Sequence, residues 1–232
     1  MLVLIDAYGA RQYDAVTMPK LKIAATPSIR RLPSYLHIIH QAQHDGLEYI
    51  SGTVIAQELN LEPIQVRKDL SITGIVGKPK KGYPVAELIA AIERFLAWDS
   101  VHDAVLVGVG NLGSALMGYQ EFQLHGLNII AAFDKDPRKI GSNVHGVPIL
   151  STDSMEMQIR NLGVKIAILT VPSAHAQDSA DALVRAGIKG IWNFTKSKLR
   201  VPDSVVVQKE DLSSGYAMLC VMIEAQRHAY QG

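Results

Sequence analysis

Apolar positions along this chain follow two different periods, and the place where one gives way to the other divides it. From Thr26-Pro27-Ser28, where a capping residue sits beside a proline, Leu32, Tyr35, Leu36, Ile39 and Ala42 recur at helical spacing until His44-Asp45-Gly46 stops the run. Pro33 falls within the first turns, where its missing donor costs little. Ser51-Gly52-Thr53 opens a short second helix with Val54, Ile55 and Leu59 apolar. After a tight connection at Asn60-Leu61, Glu62-Pro63 starts a third helix that runs to near Gly74. Its Ile64, Val66 and Leu70 are expected to face inward, leaving Gln65, Arg67, Lys68 and Ser71 outward. Two short helices joined this way form a helix-turn-helix outline. Gly77-Lys78-Pro79-Lys80-Lys81-Gly82-Tyr83 follows as a glycine-bounded basic loop that reads as a wing, and residues 84–98 form one more amphipathic helix.

Beyond Asp99-Ser100 strands alternate with helices, which argues for a parallel sheet. The pattern predicts strands over 104–109, 128–133, 146–150, 164–171, 190–194 and 205–207, with helices over 112–124, 152–161 and 174–186 between them. A last helix begins at Asp211, where Leu212, Tyr216, Leu219 and Ile223 line up as an apolar seam. Such a seam packs on its own domain or is contributed to a partner subunit; the pattern leaves both open.

Composition narrows the class. With 48% hydrophobic and 19% charged residues the chain is neither disordered nor fibrous, and no apolar run approaches the ~18 residues needed to cross a bilayer. The opening residues lack the basic and apolar regions of a signal peptide. A single cysteine, Cys220, leaves no intramolecular disulfide and suits a reducing cytoplasm, so a cytoplasmic protein is expected. The net charge of +1 conceals an asymmetry: residues 20–85 hold nine Lys/Arg against five Asp/Glu, whereas residues 100–232 hold twelve of each. A basic excess confined to the N-terminal part allows a nucleic-acid partner there, although ordinary surface variation accounts for it equally well.

The chemistry sits in the second part. Gly108-Val109-Gly110-Asn111-Leu112-Gly113 joins a strand to a helix, and Asp134 ends the next strand. That is the fingerprint of a Rossmann fold, in which glycines let the backbone approach a pyrophosphate at a helix start. Asp134 would accept from a ribose 2′-hydroxyl, favouring NAD(H) over NADP(H), with Lys135 and Arg138 tempering that preference. Thr170-Val171-Pro172 ends a later strand at the carboxyl edge, placed to flank a nicotinamide. His145 and His175 lie on loops near that edge, but a dehydrogenase needs a substrate domain for which little chain remains; the expectation is that the protein is not an enzyme. No metal site is expected.

At this point the chain resembles the Rex family of redox-sensing transcriptional repressors over residues 22–230. The resemblance is carried by Arg31-Leu32-Pro33-Ser34-Tyr35-Leu36, Gln65-Val66-Arg67-Lys68-Asp69-Leu70-Ser71, the wing from Gly77 to Tyr83, the glycine segment through Leu116, Phe133-Asp134, and residues 168–172. Gly187-Ile188-Lys189-Gly190-Ile191, Asn193-Phe194-Thr195 and Val201-Pro202 complete it. It implies an α/β chain with a winged-helix DNA-binding domain over 22–84, a connector helix over 85–100, a Rossmann NAD(H)-binding domain over 101–208, and a domain-swapped helix over 209–232; ahead of these lies an extension over 1–21, expected to be mobile because its first residues show no clean periodicity. The implied function is a cytoplasmic homodimer that binds palindromic operator DNA and is released by NADH.

Carried over by position, Arg67, Lys68 and Ser71 would lie in the major groove, with Gln65, Arg30 and Arg31 nearby, and Lys78, Lys80, Lys81 and Tyr83 would serve the wing. Asn193 and Phe194 join the cofactor set, and Tyr119, on the helix after the glycines, would respond to the nicotinamide. Asp211 would pair with an arginine from the first helix of the other subunit. Three departures stand out: His37 occupies that arginine's position, Ser71-Ile72-Thr73-Gly74 replaces Ser-Tyr-Phe-Gly, and the wing carries Pro79-Lys80 in place of an inner glycine. They leave open a dimer that binds NAD without recognising DNA, beside the alternative of an NAD-dependent oxidoreductase.

Overall fold

The computed structural model describes residues 26–229; the extension expected over residues 1–21 lies outside them. The first elements are α1 (Thr26–His44), β1 (Tyr49–Ile50), α2 (Gly52–Glu58), α3 (Pro63–Ser71), β2 (Tyr83–Pro84) and α4 (Val85–Leu96). Leu32, Tyr35, Leu36 and Ile39 of α1 meet Ile55, Val66, Leu70, Leu88 and Ile92 in one buried cluster. So α4, expected as a connector, fills the core beneath the helix-turn-helix. It ends where Ala97 takes a left-handed conformation (φ 56°). Ser51 caps α2 by accepting from the amide of Val54, as its position before the helix suggested. β1 and β2 pair antiparallel, Ile50 opposite Tyr83, and hold the wing against the helices.

The second part is a seven-stranded sheet built from β3 (His102–Val107), β4 (Leu127–Asp134), β5 (Asn143–Val144), β6 (Val147–Ser151), β7 (Ile166–Leu169), β8 (Gly190–Asn193) and β9 (Val206–Lys209). Their order across the sheet is β5-β6-β4-β3-β7-β8-β9, parallel except for the added edge strand β5. Without that edge this is the doubly wound order of a dinucleotide-binding fold, whose switch point lies between β3 and β7. Ala104, Val105, Leu106 and Val107 are fully buried because helices cover both faces. Val105, Val107 and Leu169 pack toward α7 (Met155–Leu162) and α8 (Ala176–Arg185); Leu106, Ala132 and Ile168 pack on the opposite face.

Three local expectations need correction. The helix predicted over 112–124 is two helices, α5 (Asn111–Met117) and α6 (Glu121–Leu124), broken at Gly118. The His145 ring lies against that glycine, 2.8 Å from where a Cβ would stand. Ile64 does not face inward but is 73% exposed. The strand over 164–171 contracts to Ile166–Leu169, with Thr170 free to bond across to β3.

The last helix, α9 (Ser213–Ala229), departs from the rest. Tyr216 is 70% exposed and Leu219 54%, and Leu212 and Ile223 are exposed with them. The seam is present, yet among the described residues nothing covers it.

Candidate functional site

The carboxyl edge of the sheet opens into a cleft of about 720 Å³ between β3, β4 and β7, a size suited to a small-molecule ligand. Gly108, Gly110, Asp134, Lys135, Thr170, Val171 and Pro172 line it. Gly108 turns the chain out of β3 at φ +99°, and a Cβ there would stand 2.9 Å from the backbone of Thr170 and Val171. At Gly113 an added Cβ would come within 2.2 Å of the Gly108 carbonyl oxygen. Only glycine lets α5 start this close to the strand. Thr170 strengthens the arrangement by donating from its hydroxyl to the Gly108 carbonyl at 2.7 Å. Asn111 and Leu112 open α5, where first-turn amides lack intrahelical acceptors. The space beside Gly110 is open. This geometry fits a pyrophosphate laid across the loop.

Asp134 has more partners than a ribose acceptor requires. Its Oδ2 accepts from the amide of Val109 at 2.8 Å and from Lys139 Nζ at 3.2 Å, and its Oδ1 accepts from the amide of Asp136 at 2.9 Å. Burial opposes its ionisation, but those two amides and the Lys139 ammonium outweigh it and hold the carboxyl below the usual range. A carboxylate offers about four acceptor positions, so one remains for a ribose hydroxyl. Asp134 thus anchors the glycine loop from inside. Lys139 completes the anchor by donating to the Val109 carbonyl at 2.7 Å. The sequence reading passed over Lys139; the signal available was Asp136-Pro137, a turn that folds the chain back toward Asp134.

Other expected cofactor residues lie elsewhere. Asn193 is buried, accepting from the Thr195 amide and donating to the Ser197 carbonyl, so it organises its own loop. Phe194 is tilted against Trp192, with ring centroids 5.1 Å apart, and does not line the cleft. Tyr119 stands in the break between α5 and α6 rather than on a helix, donating to Glu121 at 2.5 Å; that bond raises its pKa. Of the two histidines, His145 packs on Gly118, and His175 Nε2 lies 3.0 Å from Lys135 Nζ at the cleft.

The helix-turn-helix face also differs from its sequence reading. Arg31 does not point outward: its guanidinium donates to both oxygens of buried Asp69, at 2.6 and 2.9 Å. Tyr35 donates to the same carboxylate at 2.6 Å and Gln65 at 2.7 Å, so Gln65 too is turned inward. Burial pushes the Asp69 carboxyl up, but these donors, with Ser28, bring it well below the usual range. Burial and the neighbouring carboxylate raise the Tyr35 phenol to about 12. Tyr83 is a core residue, 8% exposed, because the short pairing with β1 draws its ring under the wing. The face of α3 left to solvent therefore carries Ile64, Arg67, Lys68 and Ser71, with Lys78, Lys80 and Lys81 on the wing and Arg30 on α1, all exposed. Pro79-Lys80 builds a wing that still needs the missing glycine's conformation, since Lys80 sits at φ +62°.

Among the switch residues, His37 is exposed on α1. Asp211 caps α9, accepting from the amide and hydroxyl of Ser213, and these bonds lower its pKa.

Comparison with known proteins converges on one family. Residues 22–71 match the family described as "Putative DNA-binding protein N-terminus", and residues 99–197 match the CoA binding domain family. The chain is 62% identical over 210 residues to the redox-sensing transcriptional repressor Rex of Treponema denticola, covering 90% of this chain and 100% of that one. It is 42% identical over 196 residues to the Rex repressor of Bacteroides fragilis, covering 84% and 88%. The crystal structure of RSP in complex with β-NADH superposes with a TM-score of 0.82 at 31% identity, over 91% of this chain and 99% of that one. RSP in complex with β-NAD+ and operator DNA gives 0.81 at 31% identity, over 91% and 97%. The glycine loop anchored by Asp134, the helix-turn-helix beside a basic wing, and this likeness across nearly the whole chain place the protein in the Rex family of redox-sensing transcriptional repressors.

Proposed function

We propose that the protein is a cytoplasmic homodimer that binds palindromic operator DNA and releases it when NADH binds, and that it is a regulator rather than an enzyme. One observation carries this: a relative of the same fold, similar over 91% of this chain, holds β-NADH in one crystal and β-NAD+ with operator DNA in another. Arg67, Lys68 and Ser71 enter the major groove, while Arg30, Lys78, Lys80 and Lys81 meet phosphates. NAD(H) lies along the cleft with its pyrophosphate on the Gly108–Gly113 loop and its adenosine ribose at Asp134. The ring that changes oxidation state is neutral when reduced and cationic when oxidised, and only the neutral form is easily buried. Val171 and Pro172 offer it an apolar edge, closed by α9 from the other subunit, with Tyr119, Asp211 and the facing His37 carrying the change to the dimer interface. A hundredfold loss of operator affinity requires that NADH prefer the released shape by about 2.7 kcal/mol.

The test is fluorescence anisotropy on a palindromic duplex selected from a random library by this protein, at varying NADH/NAD+ ratios. Binding that falls as the ratio rises is the expected result. Affinity indifferent to the ratio, or no duplex selected, would overturn the reading.

A further inference from the structure

The wing lysines do not stand alone. Tyr49, on β1 at the base of the wing, accepts a hydrogen bond at its hydroxyl from Lys78 Nζ at 3.0 Å, and the same ammonium lies 5.2 Å from the ring centroid. Those two distances put Lys78 out beyond the phenol edge, so the hydrogen bond is its main tie. Lys81 Nζ lies 5.3 Å from the same centroid, within reach of the ring's π system. The turn makes this convergence possible: the amide of Lys81 donates to the Lys78 carbonyl at 3.2 Å, bringing residues three apart to the same end of the loop. Two ammonium groups held beside one ring repel each other, and Lys78 also feels the carboxylate charge of Glu87. The tyrosine counters both effects by giving one cation an acceptor and the other an aromatic surface.

We propose that Tyr49 is a positioning residue for DNA binding, holding Lys78 and Lys81 as a paired clamp for one backbone phosphate of a double-stranded nucleic acid. The inference rests on the winged-helix reading above. A phosphate between two ordered ammonium groups is bound without the ordering entropy that free lysine chains would lose. The clamp is sequence-independent, so it sets affinity and register while α3 reads bases.

The experiment compares Tyr49→Phe, Tyr49→Leu and Lys78→Ala in the full chain, on the selected palindrome and on a mixed-sequence duplex, across a series of salt concentrations. Tyr49→Phe, which keeps the ring and loses the acceptor, should weaken both duplexes about threefold, and Tyr49→Leu about tenfold. The dependence of log affinity on log salt should become shallower by about one for Tyr49→Leu, as for loss of a phosphate contact. In a Lys78→Ala background, Tyr49→Phe should have no further effect. NADH affinity should not move in any of the four. Wild-type affinity and salt slope in both tyrosine variants would overturn the proposal, as would a Tyr49→Phe effect that persists without Lys78. Failure of the wild-type chain itself to bind either duplex would instead remove the winged-helix reading, and this proposal with it.

Discussion

Replacing Asp69 with asparagine changes one oxygen to an amino group at the centre of the α1–α3 contact. Oδ1 accepts from Arg31 and Gln65, and Oδ2 accepts from Arg31 and Tyr35. An asparagine keeps one acceptor, and whichever way it turns its amino group faces two donors. The Asp69 side chain has no exposure and Arg31 has 30%, so the orphaned guanidinium can recover part of its hydration while the phenol cannot. Removing one partner of a buried pair costs about 3–5 kcal/mol, and the partial exposure of Arg31 puts this case at the low end, about 3 kcal/mol. That raises the unfolded population more than a hundredfold, at about 1.4 kcal/mol per factor of ten. Urea unfolding followed by circular dichroism measures it.

The same carboxylate fixes the pH dependence. Its folded pKa is depressed, so its contribution is fully present above the unfolded value, about 3.9, and is lost as pH falls below it. The wild-type advantage over Asp69→Asn should therefore shrink between about pH 4 and pH 2. An Asp69→Asn protein within about 0.5 kcal/mol of wild type at neutral pH would refute the argument, because that is the scale of an ordinary surface substitution.

Two further outcomes follow from contacts already described. Gly113→Ala would drive a Cβ into the Gly108 carbonyl at 2.2 Å, so it should destabilise the sheet domain by about 1–3 kcal/mol and weaken NADH binding, read by fluorescence titration; unchanged binding would contradict the close-approach role. Leu219→Asp combined with Ile223→Asp places charges on the uncovered seam of α9, and sedimentation should then give a mass near 25.3 kDa in place of twice that value, whereas a wild type already at the single-chain mass would remove the shared-helix proposal.

Much of the second part of the chain was legible because its constraints are local. A glycine that must adopt φ +99° and another that cannot carry a Cβ announce themselves at fixed spacing, and the acid that follows them is set by the strand order. The break at Gly118 was not legible, since the ring that fills the space above it comes from His145, 27 positions away. The α9 seam could be read as an apolar stripe, but what covers it cannot be read from one chain. In the N-terminal part, periodicity placed Ile64 inward and Gln65 outward, and the resemblance set Arg31 beside the DNA. The structure exposes Ile64, and buried Asp69 turns Gln65 and Arg31 inward. A charged residue is read as a surface residue unless its partners are known, and Arg31 is 38 positions from Asp69.

Asp69 and Asp134 play parallel parts. Each is a buried carboxylate that ties a functional segment to a distant stretch of chain: Asp69 fastens α3 to α1, and Asp134 fastens the glycine loop to the turn at Asp136–Lys139. In both places the surface proposed for a ligand, the outer side of α3 or the amides of the loop, is held from behind by an acid. A buried carboxylate with three or four converging donors tolerates little displacement, since losing any one bond leaves a desolvated polar group unpaired. A change between a DNA-binding and a released shape would therefore carry α3 with α1, and the glycine loop with the Asp136–Lys139 turn, as units.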